Sequence, residues 1–214
     1  MGAILDLFLN VDTHLADLAV SYGPWIYAIL FAVVFAETGL VITPFLPGDS
    51  LLFAAGALAA IDILDVRIVA VILFVAAVLG DGVNYAIGRR LGPMIFREEA
   101  NDTFWHRLIN RNHLRQAHEF FERHGSMAVV IARFVPIVRT FVPFVAGAGT
   151  MSYAKFAIAN VAGAVAWVGG CVGAGYAFGQ VPIVKENFSL VVLGIVVVSV
   201  LPLVVAFFRA RAKA

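Results

Sequence analysis

Long apolar runs alternate with short polar segments along most of the chain. Four of the runs are interpreted as membrane spans, which need roughly 20 apolar residues each. These runs are 22–36, 66–88, 153–180 and 188–208. Two more apolar runs, 37–61 and 125–150, are interrupted near their middles by prolines and charged residues. Acids alternate with apolar residues in helical rhythm over 1–20, which predicts a short helix at the membrane surface.

The two interrupted runs predict re-entrant hairpins. Proline removes a backbone donor and breaks a helix, and non-helical backbone at membrane depth is tolerated only inside protein or beside a wet cavity. Each arm has about 10 residues, enough to cross half of a 30 Å hydrocarbon core. The predicted hairpin tips carry turn-forming residues, namely Pro44, Pro47 and Gly48 in the first hairpin and Pro136 and Pro143 in the second.

The two halves of the chain also repeat. Phe-Ala-Ala-Gly-Ala at 53–57 matches Phe-Val-Ala-Gly-Ala at 144–148, and Tyr-Ala-Ile-Gly at 85–88 matches Tyr-Ala-Phe-Gly at 176–179. Both pairs are separated by 91 residues, from 53 to 144 and from 85 to 176. A shared offset indicates duplication of a unit that contains one hairpin and one span.

Composition agrees with a membrane protein. The chain is 62% hydrophobic and 14% charged, with a mean hydropathy of +0.94, whereas soluble domains are about 45–50% apolar and about 25% charged. A soluble enzyme is therefore not expected, and the net charge of +1 gives no sign of a nucleic-acid partner. The single cysteine, Cys171, excludes an intrachain disulfide and a thiol-built zinc cluster, and no cofactor or metal is expected.

The distribution of cations predicts the orientation. Seven arginines lie in the amphipathic loop 89–124 and three cations in the tail 209–214, so both segments are expected to be cytoplasmic, as is the N-terminus. This topology inverts the second repeat relative to the first. The predicted fold is an all-α integral membrane protein built on an inverted repeat of a re-entrant helical hairpin plus a transmembrane helix, with flanking spans and interfacial amphipathic helices.

Five ionisable residues lie inside apolar segments. They are Glu37, Asp49, Asp81, Arg133 and Arg139. A charged side chain at the centre of a membrane helix costs about 2.5–3.5 kcal/mol on insertion scales, so these groups must face one another or water. The default interpretation is a functional site, and the alternative is a set of ion pairs that only hold the hairpins together.

The returning arm of each hairpin is predicted to point a helix N-terminus at the same region. Asp49 or Ser50 would cap the first arm and Thr140 the second. Two helix N-termini beside Arg133 and Arg139 favour an anion, most naturally a phosphate that accepts bidentate arginine hydrogen bonds.

Carboxylates near these arginines suggest proton coupling. With Glu37 and Asp49 ionised, their charges cancel those of the two arginines, and protonation would free positive charge for an anion. Asp81 is a second-tier candidate for the same role. A proton-coupled antiporter of a small ion or drug remains an alternative, as do a lipid-phosphate enzyme and a purely structural role.

Four segments resemble the signatures of the bacterial DedA family, which is related to the eukaryotic VTT-domain proteins. They are Phe-Ala-Glu-Thr-Gly at 35–39, Pro-Phe-Leu-Pro-Gly-Asp-Ser-Leu-Leu-Phe-Ala-Ala-Gly at 44–56, Gly-Asp-Gly-Val-Asn-Tyr-Ala-Ile-Gly-Arg at 80–89, and Ala-Arg-Phe-Val-Pro-Ile-Val-Arg-Thr at 132–140. The resemblance implies an inner-membrane protein with paired re-entrant hairpins that supports envelope integrity and depends on the proton-motive force.

The same resemblance implies a substrate and roles for four residues. Members of the family translocate undecaprenyl phosphate across the membrane, and Glu37, Asp49, Arg133 and Arg139 match its essential carboxylates and arginines. The expected partners are a lipid phosphate, membrane lipids and protons. A homodimer is left open, and no enzymatic activity is expected.

Overall fold

Helices account for nearly all of the residues that the structure, a computed structural model, describes. Those residues are 23–40, 48–95, 111–149, 151–182 and 184. The helices are α1 (Trp25–Gly39), α2 (Gly48–Ala60), α3 (Val66–Ile95), α4 (Arg111–His124), α5 (Met127–Ala132), α6 (Pro136–Ala148) and α7 (Tyr153–Gly179). The described part contains no strand, which confirms the all-helical prediction there.

Two of these helices, α3 and α7, are long and apolar enough to cross a membrane. Val66–Gly92 and Tyr153–Gly179 each have 27 residues, or about 40 Å at 1.5 Å per residue, and coincide with two predicted spans. Large apolar side chains of α3 are exposed at 68, 71, 75, 79 and 83, which form one helix face. A continuous exposed apolar face of this length is typical of contact with lipid.

The remaining predicted membrane segments are described only in part. The interfacial helix 1–20, the span 188–208, the tail 209–214 and the tip prolines Pro44 and Pro47 lie outside the described residues. Helix α4 falls within the predicted amphipathic loop 89–124, and its Arg115 and Glu119 side chains are exposed and 3.8 Å apart.

The described residues divide into two compact units. Unit 1 takes 23–30, 48–72 and the residues from 170 onward, and unit 2 takes 31–40, 73–95, 111–149 and 151–169. Helices α1, α3 and α7 each contribute residues to both units.

In unit 1, helix α2 packs closely on the C-terminal half of α7. A Cβ built at Gly56 would collide with the carbonyl oxygen of Val172 and lie 3.0 Å from the amide nitrogen of Tyr176. The Phe53 and Phe178 rings meet at a centroid distance of 5.5 Å. Glycine on α2 therefore lets the two backbones touch.

In unit 2, helix α6 packs in the same way on the C-terminal half of α3. A Cβ at Gly147 would collide with the carbonyl oxygen of Tyr85, and one at Gly88 with that of Phe144. The Tyr85 hydroxyl donates to the carbonyl oxygen of Met151 at 2.6 Å, and its ring stacks on Phe156 at 4.4 Å.

The two contacts match the sequence repeat. Gly56 and Gly147 are equivalent positions, as are Tyr85 and Tyr176, and in each unit the repeat glycine of a hairpin arm lies against the repeat tyrosine of the other half. Each hairpin arm thus packs on the long helix of the other repeat. The inverted, re-entrant arrangement stays a prediction.

Helix α6, the returning arm of the second predicted hairpin, begins five residues earlier than predicted. Helix α6 begins at Pro136 after the extended Val135, which has φ −115° and ψ 106°, so Thr140 and Pro143 both lie inside the helix. The predictions that Thr140 caps the arm and that Pro143 lies at the tip are therefore wrong. The reason is that Pro136 has a preset φ and lacks only an N–H that the first turn does not use, so it starts the helix itself.

The first returning arm begins at Gly48, a predicted tip residue. Asp49 and Ser50 therefore lie in the first turn of α2 rather than ahead of it. A carboxylate in this turn still interacts favourably with the positive end of the helix dipole.

The close contact of Gly147 with the Tyr85 backbone can be tested by substitution. Gly147→Ala should lower the thermal unfolding midpoint of the detergent-solubilised protein, because the added methyl meets the Tyr85 backbone and overpacking costs about 1–3 kcal/mol. Gly173→Ala on α7 is the matched control, since no atom lies within 4 Å of its Cβ position and alanine favours a helix. Equal midpoints for the two variants would contradict the close packing of α6 on α3.

Candidate functional site

Four of the five predicted ionisable residues come together within unit 2. Glu37, Asp81 and Arg133 are each 4% exposed, and the Arg139 side chain is 10% exposed. They belong to α1, α3, the α5–α6 turn and α6, respectively. The fifth, Asp49, belongs to unit 1, together with Ser50.

Close contact between α1 and α3 positions the two carboxylates. A Cβ at Gly39 would lie 3.4 Å from the Cα of Gly80, and one at Gly80 would collide with the Thr38 hydroxyl. That hydroxyl donates to the carbonyl oxygen of Val34 at 2.9 Å. Glu37 and Asp81 therefore project from two helices whose backbones nearly touch.

Arg133 is held by a dense set of hydrogen bonds. Its Nη2 donates to Asp81 Oδ2 at 2.7 Å and to Asn160 Oδ1 at 2.5 Å, with the carbonyl oxygen of Ala77 at 3.5 Å. Asn160 is itself fixed, because its Nδ2 donates to the carbonyl oxygen of Val78 at 3.0 Å. The Asp81–Arg133 pair is a short, buried, charge-assisted hydrogen bond that joins α3 to the α5–α6 turn.

Arg139 is held differently. Its Nη2 lies 3.5 Å from Glu37 Oε1, longer than the roughly 2.7–2.9 Å of a charge-assisted hydrogen bond. Its guanidinium carbon lies over the Trp167 ring, 4.3 Å from the centroid, within cation–π range. The Arg133 guanidinium carbon is 5.7 Å from the same centroid, so one buried indole ring lies within cation–π range of both arginines.

Asn84 joins three helices beside these charges. Its Nδ2 donates to the carbonyl oxygens of Thr38 at 3.1 Å and Thr140 at 2.8 Å, which ties α3 to α1 and α6.

Pro143 cannot donate to the carbonyl oxygen of Arg139, so this turn of α6 lacks one helical hydrogen bond. Asn84 Oδ1 and Arg133 Nε are buried and have no hydrogen-bond partner among the described residues.

The arrangement contains two acids and two arginines whose formal charges cancel. The short Asp81–Arg133 pair is suited to holding helices together, whereas the longer Glu37–Arg139 contact is suited to exchanging a carboxylate for another oxyanion. Thr140, predicted to bind the anion, is 3% exposed and lies one residue from Arg139. No group of three or more metal-ligating side chains occurs in the described part of the chain.

Sequence reasoning missed three residues of the site. Asn84 and Asn160 are buried amides in apolar helices, the same signal that singled out Asp81, and could have been found by it. Trp167 gave no signal, because an aromatic residue in an apolar helix is ordinary. Asp81, the second-tier candidate for proton coupling, contacts Arg133 at 2.7 Å.

The chain is similar to several membrane proteins. The VTT domain model matches residues 46–177. Protein DedA of Escherichia coli K12 is 50% identical over 99% of this chain and 95% of its own length. An uncharacterised membrane protein of Mycobacterium leprae is 41% identical over 81% of this chain and 76% of its own.

A more distant relative carries a location in its name. Inner membrane protein YghB of Salmonella typhimurium is 35% identical over 95% of this chain and 92% of its own length. No solved structure matches the chain. The domain match and the near full-length identity show that the chain belongs to the VTT-domain family and is a membrane protein of its DedA branch.

Proposed function

We propose that the protein moves a lipid phosphate, undecaprenyl phosphate or a related anionic lipid, between the leaflets of the bacterial cytoplasmic membrane and so supports envelope integrity. The observation that carries the proposal is Arg139, a guanidinium buried among apolar helices, 3.5 Å from the Glu37 carboxylate and over the Trp167 ring.

A structural role explains this arginine poorly. A charge in a membrane helix costs about 2.5–3.5 kcal/mol, and a buried ion pair contributes little net stability. The Asp81–Arg133 pair already ties the α5–α6 turn to α3. The longer Glu37–Arg139 contact is explained if Arg139 binds the substrate during transport.

The chemistry of Arg139 favours a phosphate. A guanidinium presents donors in a planar fork that fits phosphate oxygens, and it stays charged at all physiological pH values. The exposed apolar face of α3 would suit the hydrocarbon tail of a lipid that carries such a headgroup. The guanidinium supports a phosphate headgroup, and the apolar face supports a lipid over a fully soluble anion.

Proton coupling would operate through the carboxylates. Protonation of Glu37 removes the negative charge beside Arg139 and leaves the guanidinium available to the substrate. Asp49, in the first turn of α2, is the second proposed proton carrier. Asp81 is a weaker candidate, because its carboxyl group is already engaged by Arg133 at 2.7 Å.

The proposal includes the predicted architecture. Two inverted repeats would bring their re-entrant hairpins to the middle of the membrane, with the loop 89–124 and both termini in the cytoplasm. The matched Gly56–Tyr176 and Gly147–Tyr85 contacts support a duplicated unit. The protein is proposed to act as a transporter and not as an enzyme.

Removal of Arg139 is the direct test. Cells depleted of the protein and supplied with Arg139→Ala should accumulate undecaprenyl phosphate on the outer leaflet, measured by surface labelling, because the phosphate loses its charged donor. We expect a transport rate lower by about tenfold or more, the order of a hydrogen bond to a charged group. Arg115→Ala, which removes an exposed arginine, is the matched control and should restore transport.

Folding must be separated from binding in this test. Transport is therefore normalised to monodisperse protein, and Arg139→Gln in a Glu37→Gln background provides a variant without an uncompensated buried carboxylate. Wild-type transport by any of the Arg139 variants would contradict the proposal. Movement of a soluble ion by purified protein in liposomes, without lipid movement, would favour the proton-coupled antiporter of a small ion or drug.

Glu37→Gln tests the proton step. The amide has the shape of a protonated carboxyl group but cannot release a proton, so transport that remains in proteoliposomes should be independent of an imposed pH gradient. The wild-type protein should respond to the gradient and lose the response when an uncoupler is added. The same gradient dependence in both proteins would show that Glu37 does not carry the coupling proton.

A further inference from the structure

The two arginines of the site share one face of helix α7. Asn160, Gly163 and Trp167 are spaced by three and four residues and lie on the same side of this helix. Asn160 binds Arg133, and a Cβ at Gly163 would lie 3.0 Å from the Arg133 Cδ, so the glycine leaves room for that side chain. This face of α7 is therefore shaped around guanidinium groups.

Trp167 is the member of this face that distinguishes the two arginines. Its ring is 1% exposed, with the Arg139 guanidinium carbon 4.3 Å from its centroid and that of Arg133 at 5.7 Å. Arg133 also has short hydrogen bonds to Asp81 and Asn160. The indole ring thus lies closer to the Arg139 guanidinium than to that of Arg133.

A ring face can hold a guanidinium without using its hydrogen-bond donors. Stacking occupies the flat surface of the group, whereas its five N–H donors lie in the plane and point outward from its edge. The attraction to the ring also does not depend on the protonation state of Glu37. Arg139 can therefore stay in place while the oxyanion at its edge changes.

We propose that Trp167 is a positioning residue that holds Arg139 while its partner changes from the Glu37 carboxylate to the phosphate of the substrate. The inference rests on the proposed function for the identity of that phosphate. It assigns to the Glu37–Arg139 pair the exchange step, and to the Asp81–Arg133 pair a fixed support.

Transport kinetics with aromatic and aliphatic substitutions test the proposal. Trp167→Leu should raise the undecaprenyl phosphate concentration for half-maximal transport in proteoliposomes by about three- to thirtyfold, the range of a cation–π contact, with a smaller change in maximal rate. Trp167→Tyr keeps an aromatic face and should recover most of the apparent affinity. Phe156→Leu is the matched control, because it removes a fully buried aromatic ring that stacks on Tyr85.

The control separates positioning from packing. Phe156→Leu should lower thermal stability and leave the half-maximal concentration unchanged. The inference would be overturned by an unchanged half-maximal concentration in Trp167→Leu, by an equal rise in Phe156→Leu, or by failure of Trp167→Tyr to recover affinity although it folds.

A second measurement does not depend on the transported lipid. The chain has three tryptophans, so Trp25→Phe with Trp105→Phe leaves Trp167 as the single fluorophore. Arg139→Gln in that background should shift the emission maximum, because a charge at 4.3 Å from the indole has been removed, whereas Arg115→Gln should not. No shift with Arg139→Gln would overturn the inference.

The two readouts distinguish failure of the inference from failure of the proposed function. If Arg139→Gln shifts the emission but Arg139→Ala moves undecaprenyl phosphate normally, Trp167 still holds Arg139 and the substrate assignment is wrong. If Arg139→Ala abolishes transport and Trp167→Leu transports with wild-type affinity, the substrate assignment stands and the positioning role is wrong.

Discussion

A guanidinium placed among apolar helices must have an opposite charge beside it, and this requirement organises unit 2. Arg133 lies in the short turn between α5 and α6 and is 4% exposed. Asp81 supplies the charge from α3, and Asn160 supplies a further oxygen from α7. Arg133 therefore links the turn to both long helices, α3 and α7. Helix α6 begins directly after this turn, at Pro136, and Arg139 lies three residues further along it.

Close helix contact makes this charge arrangement possible. Gly80 brings α1 against α3, so that Glu37 and Asp81 share one region, and Gly147 brings α6 against α3 near Tyr85. Asn84 then ties the same three helices through two backbone carbonyl oxygens. Charges that would be costly alone are thus held in a neutral set, in which the Asp81–Arg133 contact is 2.7 Å long and the Glu37–Arg139 contact 3.5 Å. We interpret the difference in length as a difference in role, support for the first pair and exchange for the second.

The sequence predicted the members of this site better than their pairing. Charged residues in apolar segments are rare and costly, so Glu37, Asp81, Arg133 and Arg139 could be found without a structure. Which acid faces which arginine depends on helix rotation and on close approach at glycines, and neither is visible in a hydropathy pattern. The long helices α3 and α7 followed from their apolar length, whereas the start of α6 was misplaced because three candidate signals, Pro136, Thr140 and Pro143, lie within eight residues. Trp167 contacts both arginines with the face of its ring, and such a contact has no sequence signature.

If the two ion pairs have different roles, neutralising the acid of each pair should rescue only one of the two arginine substitutions. Lipid transport is compared for Arg133→Gln, Arg139→Gln, and each of these combined with neutralisation of its acid, Asp81→Asn or Glu37→Gln, at equal amounts of folded protein. We expect Arg133→Gln to abolish transport and added Asp81→Asn to restore it, because the defect is an uncompensated buried carboxylate. We expect Arg139→Gln to abolish transport with or without Glu37→Gln, because the phosphate has lost its donor. Rescue of Arg139→Gln by Glu37→Gln, or no rescue of a folded Arg133→Gln by Asp81→Asn, would contradict different roles for the two pairs.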